Sequence, residues 1–138
     1  MAAVLIIEDD LQIADILEEV LRDDGFDVCG IARTVEDALT LAGQHHPQLA
    51  IVDLYLAHGG LGSSIAPVLM TQYNTGILYT TANVHALATA PGHASLRKPF
   101  RLHDVSVALG IVARIVETGF AIPPFPPNFE VLSTEQDD

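Results

Sequence analysis

The sequence predicts an α/β domain built on a parallel sheet with helices on both faces. Three observations carry this. Short unbroken apolar runs rich in Val and Ile recur along the chain, the pattern of central parallel strands buried on both sides. Segments with helical spacing lie between them, so strand and helix alternate five times, as parallel neighbours joined by crossovers require. Hydrophobic residues make up 49% of the chain and charged residues only 17%, enough apolar material to cover a sheet twice and too much for a disordered chain. The 138 residues suit one domain.

Residues 3–7 form the first apolar run and lead into Glu8, Asp9 and Asp10. Asp10 stands where a helix N-cap belongs. Leu11, Ala14, Ile16, Leu17, Val20 and Leu21 follow at helical spacing, and Gly25 ends the stretch. Residues 26–32 alternate and read as a second strand. Thr34 caps a helix carrying Val35, Ala38, Leu39 and Ala42, with Glu36 and Asp37 in its first turn and Pro47 beyond its end. Residues 49–53 are the third strand. Residues 65–73 are expected to lie within a third helix, with Pro67 near its start. Residues 77–81 are the fourth strand, 83–90 a short weak helix, and 94–97 a short fifth strand. Val105, Ala108, Leu109, Val112, Ile115 and Val116 mark a last helix ending near Gly119.

Residues 120–138 differ in composition. Pro123, Pro124, Pro126 and Pro127 exclude helix and favour an extended path, and the last residues are polar and acidic. A loose tail is the plain expectation. Phe120, Phe125 and Phe129 would serve as anchors if the segment docks. The expected division is therefore a folded domain over 1–119 and a proline-rich acidic tail over 120–138.

Six Lys and Arg against eighteen Asp and Glu leave a formal net charge of −12. Such a surface repels phosphate backbones and anionic lipid, which argues against direct DNA or membrane binding. It suits a cation site or a basic protein partner, and solubility alone explains it equally well. The single cysteine, Cys29, excludes an internal disulfide and reads as a small buried apolar residue. No apolar stretch has the length of a membrane span, and no basic region precedes an apolar one at the start, so a cytoplasmic location is expected. The six histidines lack metal-ligand spacing and are expected at the surface.

The chemistry gathers at strand ends. In an open α/β sheet, ligands sit beyond the carboxyl ends of the strands. Glu8 and Asp9 follow the first strand, Asp53 ends the third, Thr81 ends the fourth, and Lys98 follows the fifth. A carboxylate at the end of a buried strand is costly unless it pairs, binds metal or reacts. Three close carboxylates repel strongly in a poorly screened pocket, and a hard divalent cation relieves that. Mg2+, which takes a few carboxylates plus waters and a substrate phosphate, fits the composition. Each residue also has a bland reading. Glu8 and Asp9 alone are surface loop acids, Asp53 alone a satisfied strand end, Lys98 alone a surface lysine. Thr80 competes with Thr81.

The runs Val4-Leu5-Ile6-Ile7-Glu8-Asp9-Asp10, Leu49-Ala50-Ile51-Val52-Asp53, Tyr79-Thr80-Thr81-Ala82 and Arg97-Lys98-Pro99-Phe100 resemble the receiver domain of bacterial two-component response regulators. The resemblance covers about residues 3–118. Each motif alone is weak, and their order on successive strand ends is specific. The resemblance implies a flavodoxin-like, five-stranded parallel sheet in the order 2-1-3-4-5. It implies that Asp53 accepts a phosphoryl group from a histidine kinase or histidine phosphotransfer protein. It implies that Asp9 holds Mg2+ directly, Glu8 holds it through water, and Asp53 and the backbone carbonyl of Tyr55 complete the protein ligands. Thr81 would hydrogen-bond the phosphoryl group, Lys98 would pair with a phosphoryl oxygen or with Asp53, and the Lys98–Pro99 bond would be cis. Such a protein is a phosphoacceptor in signalling, not an enzyme beyond its own phosphorylation and dephosphorylation.

Receivers commonly carry an aromatic residue three positions before the lysine; Ser95 stands there. The segment between Thr81 and Lys98 is short and poor in apolar anchors, so an order–disorder response in residues 82–93 is expected. Too little chain follows Gly119 for an output module, so the expectation is a stand-alone receiver that binds a downstream protein or acts as a phosphate sink. Oligomeric state stays open, a homodimer through the last helix and the region of residues 83–90 included. The rival readings are a receiver-like binding module that takes no phosphate, and a phosphatase of the haloacid dehalogenase type. The latter needs a second acid two residues after the nucleophile, where this chain has Tyr55.

Overall fold

Apolar, β-branched runs closed by an acid, a threonine or a glycine become strands because they are buried on both faces and cannot continue past the polar stop. In the computed structural model, which describes residues 2–132, five of them run parallel: β1 (Ala3–Ile7), β2 (Asp27–Ala32), β3 (Leu49–Asp53), β4 (Gly76–Thr81) and β5 (Ala94–Arg97). Their order is β2-β1-β3-β4-β5, as expected. The expected five-stranded sheet needs one correction. A sixth strand, β6 (Phe129–Val131), pairs antiparallel with β5, Leu96 opposite Phe129 and Ala94 opposite Val131. The prolines keep residues 120–128 out of helix and let the chain turn back along the sheet edge. The acidic end of the tail lies outside the described residues.

Four helices cover the sheet: α1 (Leu11–Asp23), α2 (Val35–His45) and α3 (Gly62–Tyr73) make crossovers between parallel strands, and α4 (Leu102–Thr118) follows β5. Strand alternation sends Val4, Ile6, Ile51, Leu78 and Leu96 toward α1 and α4, where they meet Leu17, Leu21, Val105 and Leu109. Leu5, Ile7, Val52, Ile77 and Tyr79 point the other way, onto α2 and α3 through Ala38, Ala42, Ile65 and Leu69. Each such fully buried side chain contributes about 1.5–3 kcal/mol over its exposed state.

Caps fix where the helices start. Asp10 accepts the N–H groups of Gln12 and Ile13 at 3.0 and 3.3 Å, and Thr34 accepts that of Asp37 at 3.0 Å. Such a cap is worth about 1 kcal/mol, and here it also sets the chain direction just beyond β1 and β2. α3 contains residues 65–73 as expected but begins at Gly62, so Pro67 lies inside the helix and not near its start. Only the hydrogen bond to Ser63 is lost to the proline there. Residues 83–90 do not form the expected α-helix. A single 3₁₀ turn, Val84–Leu87, stands there, with Leu87 alone buried, because the segment offers too few apolar anchors for a longer helix.

His93 departs from the expected surface position. It is half-buried, and its Nδ1 accepts the Ile77 N–H at 2.9 Å. Burial holds its pKa below the usual histidine value, which keeps the ring neutral and able to accept. Cys29 is half-buried, less enclosed than expected. Among the described residues no helix is long and apolar enough to cross a membrane.

Candidate functional site

The carboxyl ends of β1, β3, β4 and β5 meet at one edge, where the strand order changes hand between β1 and β3. Glu8 follows β1 and is buried; Asp53 ends β3 and is only 7% exposed. Lys98 follows β5. Alternation from the core puts Glu8, Asp53 and Lys98 on the face of the sheet that carries α1 and α4. The Lys98 ammonium lies 3.3 Å from Asp53 Oδ2 and 3.9 Å from Glu8 Oε1. Asp9 completes the cluster: one carboxylate oxygen from each of Glu8, Asp9 and Asp53 falls within 4.8 Å of the others.

This crowding has an electrostatic consequence. Burial, reinforced by the Asp53 carboxylate, pushes Glu8 up from 4.5 to about 8, while the Asp10 N–H and Lys98 pull it down. The Asp10 N–H donates to Glu8 Oε2 at 3.1 Å. The Lys98 ammonium, which stands against Glu8 and Asp53, offsets only part of the upward shift at Glu8.

The donors are all hard oxygens. Around an octahedral Mg2+ with bonds of about 2.1 Å, oxygens lie about 3–4 Å apart, so the set fits that ion with little movement. Tyr55 faces the same place. Its N–H donates to Asp53 Oδ1 at 3.4 Å. It bridges Leu61 in an antiparallel pair whose ladder bonds run through Leu54 and Leu56, so its own N–H and carbonyl point away from Leu61. The exposed Tyr55 side chain joins the loops after β3 and β4, its hydroxyl accepting from Asn83 Nδ2 at 3.4 Å.

Gly62 is required by close approach. A Cβ there would overlap the Asp53 carbonyl oxygen and the Val52 side chain. The first turn of α3 thus presses on the backbone of Asp53, and Gly62 N–H donates to the Leu54 carbonyl at 2.7 Å.

Thr81 ends β4 and is buried; its hydroxyl accepts the Asn83 N–H at 3.1 Å and makes no hydrogen bond to Asp53. Thr80 is the residue in register with Asp53. Thr80 therefore shares a face with the acid, whereas Thr81 reaches the edge from the other side as the last residue of its strand. The Lys98–Pro99 bond is cis, as expected. The geometry brings Glu8, Asp9, Asp53, Tyr55 and Lys98 into direct contact range and leaves Thr81 at the rim.

A family model described as "Response regulator receiver domain" matches residues 4–109. The chain belongs to this family. Among curated relatives, the receiver is 33% identical over 110 residues to the phyllosphere-induced regulator PhyR of Methylorubrum extorquens, covering 77% of this chain and 41% of that protein. The chain spans about half or less of the length of the curated relatives it matches. Among solved structures, the PhyR receiver domain of Erythrobacter litoralis superposes with a TM-score of 0.72 at 26% identity, covering 89% of this chain and 94% of that one. The anti-anti-sigma factor PhyR of Bartonella quintana superposes with a TM-score of 0.71 at 28% identity over 86% of this chain and 49% of that one.

Within this receiver, Ser95 is buried and its hydroxyl has no partner among the described residues. Opposite it in register on β4 sits Tyr79, whose ring fills the space a side chain at Gly92 would need and whose hydroxyl donates to the Pro91 carbonyl at 2.6 Å. The buried aromatic of this region is thus supplied by β4 and pinned to the loop before β5. Two contributors escape a reading of the sequence. Arg33, just past β2, donates from Nε to the Asp9 carbonyl at 3.3 Å. Its signal was its rarity: it is one of six basic residues, and it follows a strand that ends at the same edge. The other is Asn128, far beyond the matched region.

Proposed function

We propose that this receiver accepts a phosphoryl group on Asp53 from a histidine kinase or histidine phosphotransfer protein, in the cytoplasm. The observation that carries the reading is the Lys98 ammonium 3.3 Å from an Asp53 carboxylate packed beside two further acids. A buried acid held against one ammonium at the mouth of an α/β sheet is arranged to react with an anionic electrophile.

Phosphoryl transfer asks the protein mainly to position groups and neutralise charge. An Asp53 carboxylate oxygen attacks phosphorus. The bond from phosphorus to the donor imidazole nitrogen breaks, and that nitrogen keeps the electron pair. Lys98 shifts its ammonium from Asp53 to a phosphoryl oxygen, the Thr81 hydroxyl donates to another, and the Tyr55 N–H holds the acid's orientation. Glu8, Asp9, Asp53 and the Tyr55 carbonyl would hold Mg2+, which supplies charge neutralisation across the acids and the phosphoryl oxygens. The resulting acyl phosphate is intrinsically labile, which suits a reversible signal. The signal would pass by protein contact, or the domain would serve as a phosphate sink in a relay. A net charge of −12 supports a basic protein partner over DNA.

Incubation with acetyl phosphate and Mg2+ tests this by intact mass. The wild type gains one phosphoryl group and Asp53→Asn gains none. Equal labelling of the two sinks Asp53 as the acceptor, and no labelling of the wild type sinks the reading in favour of a receiver-like binding module that takes no phosphate.

A further inference from the structure

Lys98 must reach Asp53 across two strand spacings, about 10 Å, from β5, which without β6 would be the edge of the sheet. Its backbone placement therefore decides whether the ammonium arrives. On one side the Lys98 N–H donates to the Thr81 carbonyl at 3.0 Å. On the other side stands Asn128, in the left-handed conformation at φ 68° just before β6. Its carbonyl accepts the Arg97 N–H at 3.0 Å. Its side-chain Oδ1 accepts from Arg97 Nη2 at 2.7 Å, and its Nδ2 donates to the Pro99 carbonyl at 2.8 Å.

These bonds fall on the two residues that flank Lys98. A residue that only closed the sheet edge would need its backbone alone, as Leu132 does in donating its N–H to the His93 carbonyl at 3.0 Å. Asn128 spends both ends of its amide on the turn that carries the lysine. It lies nineteen positions past the end of the matched receiver region (128 − 109 = 19), so the core that defines the family does not contain it.

We propose that Asn128 is a positioning residue for Lys98, which makes the proline-rich segment a working part of the phosphoacceptor site. This rests on Asp53 being the phosphoacceptor. The clamp holds residues 97 and 99 so that the ammonium between them stays on Asp53 before transfer and finds the phosphoryl oxygen during it. Displacing β6 would then slow the chemistry without touching any acid.

The test uses the full chain with acetyl phosphate and Mg2+. Asn128→Gly keeps the left-handed backbone and removes the amide. Losing two side-chain hydrogen bonds of ordinary strength that aim a transition-state group is expected to slow phosphorylation about fivefold. Asn128→Asp, which keeps the acceptor for Arg97 and loses the donor for Pro99, is expected to fall between the two. A residue acting through Lys98 loses its effect when Lys98 is gone, so Asn128→Gly in a Lys98→Ala background should slow the reaction no further. A wild-type rate in Asn128→Gly, or the same fold loss in both backgrounds, overturns the proposal. If the wild type takes no phosphoryl group, the phosphoacceptor reading fails, and the Lys98 side-chain NMR signals decide the clamp alone. Movement of those signals in Asn128→Gly, in the direction seen for Asp53→Asn, supports it; unchanged signals overturn it.

Discussion

The two halves of the site are held by different means. The acid half, Glu8, Asp9 and Asp53, stands on β1 and β3, central strands packed on both faces and paired on both edges. The core fixes the strand ends that carry those carboxylates, and burial, with Asp53 alongside, pushes Glu8 up to about 8. The lysine half stands on β5, a four-residue strand preceded by a single 3₁₀ turn instead of a full helix. What steadies it comes from afar: Tyr79 tied to Pro91, His93 taking the Ile77 N–H, and Asn128 bridging Arg97 and Pro99. A reactive group in the middle of a sheet is fixed by the core, whereas one at the edge must be fixed by something added.

Lys98→Ala tests the contrast most sharply. It removes the ammonium that stands against Asp53 and Glu8, and the expected loss in phosphorylation rate with acetyl phosphate is about a hundredfold, the scale for deleting a charge-stabilising group. A rate within twofold of wild type would mean that the lysine half is idle. Gly62→Ala strikes the acid half through its packing. The new methyl meets the Asp53 carbonyl and Val52, and overpacking of this kind costs about 1–3 kcal/mol, visible as a lower midpoint in urea. An unchanged midpoint would show that α3 does not press on Asp53.

Thr81→Ala and Thr80→Ala separate the strand end from the residue in register with the acid. Loss of one hydroxyl to a phosphoryl oxygen should slow transfer about tenfold in Thr81→Ala, with Thr80→Ala near wild type. The reverse order would reassign the role to Thr80. The smallest expected effect is a proton. Between pH 4.5 and about 8 the folded, metal-free protein holds a proton on Glu8 that the unfolded chain has released, so its stability falls as pH rises through that window. Ligation needs the ionised carboxylate, so Mg2+ binding at pH 7 should release a proton, and Mg2+ affinity should rise with pH up to about 8. Calorimetry in buffers of different ionisation enthalpy checks this; binding heats independent of buffer would place Glu8 outside the metal's reach.

The contrast between the halves also explains what could be read in advance. Glu8, Asp9 and Asp53 were legible because acid at the end of a buried apolar run is rare and costly. Lys98 was legible because it is one of few basic residues and precedes Pro99. Thr80 and Thr81 are adjacent and chemically alike, and only the register with Asp53 separates their faces. Pro67 looked like a helix start because a proline inside a helix is disfavoured, yet Gly62, Ser63 and Ser64 supply a first turn ahead of it. His93 and Asn128 carry no local signal. A single histidine before a short strand and an asparagine after four prolines acquire meaning only when chain segments far apart in sequence meet. Pairing of that kind has no periodicity to betray it, which is why β6 was missing from a sheet otherwise anticipated strand by strand.

The central claim is that Asp53 is the group that takes the phosphoryl moiety and that Lys98 answers it. Beryllofluoride with Mg2+ mimics the acyl phosphate without turnover, and amide NMR spectra report each residue that carries a backbone N–H. On addition the wild type should shift at residues 53–55, 80–83 and 97–98, and Asp53→Asn should show none of these changes. Spectra of the wild type that stay still, or that move equally in Asp53→Asn, would contradict it.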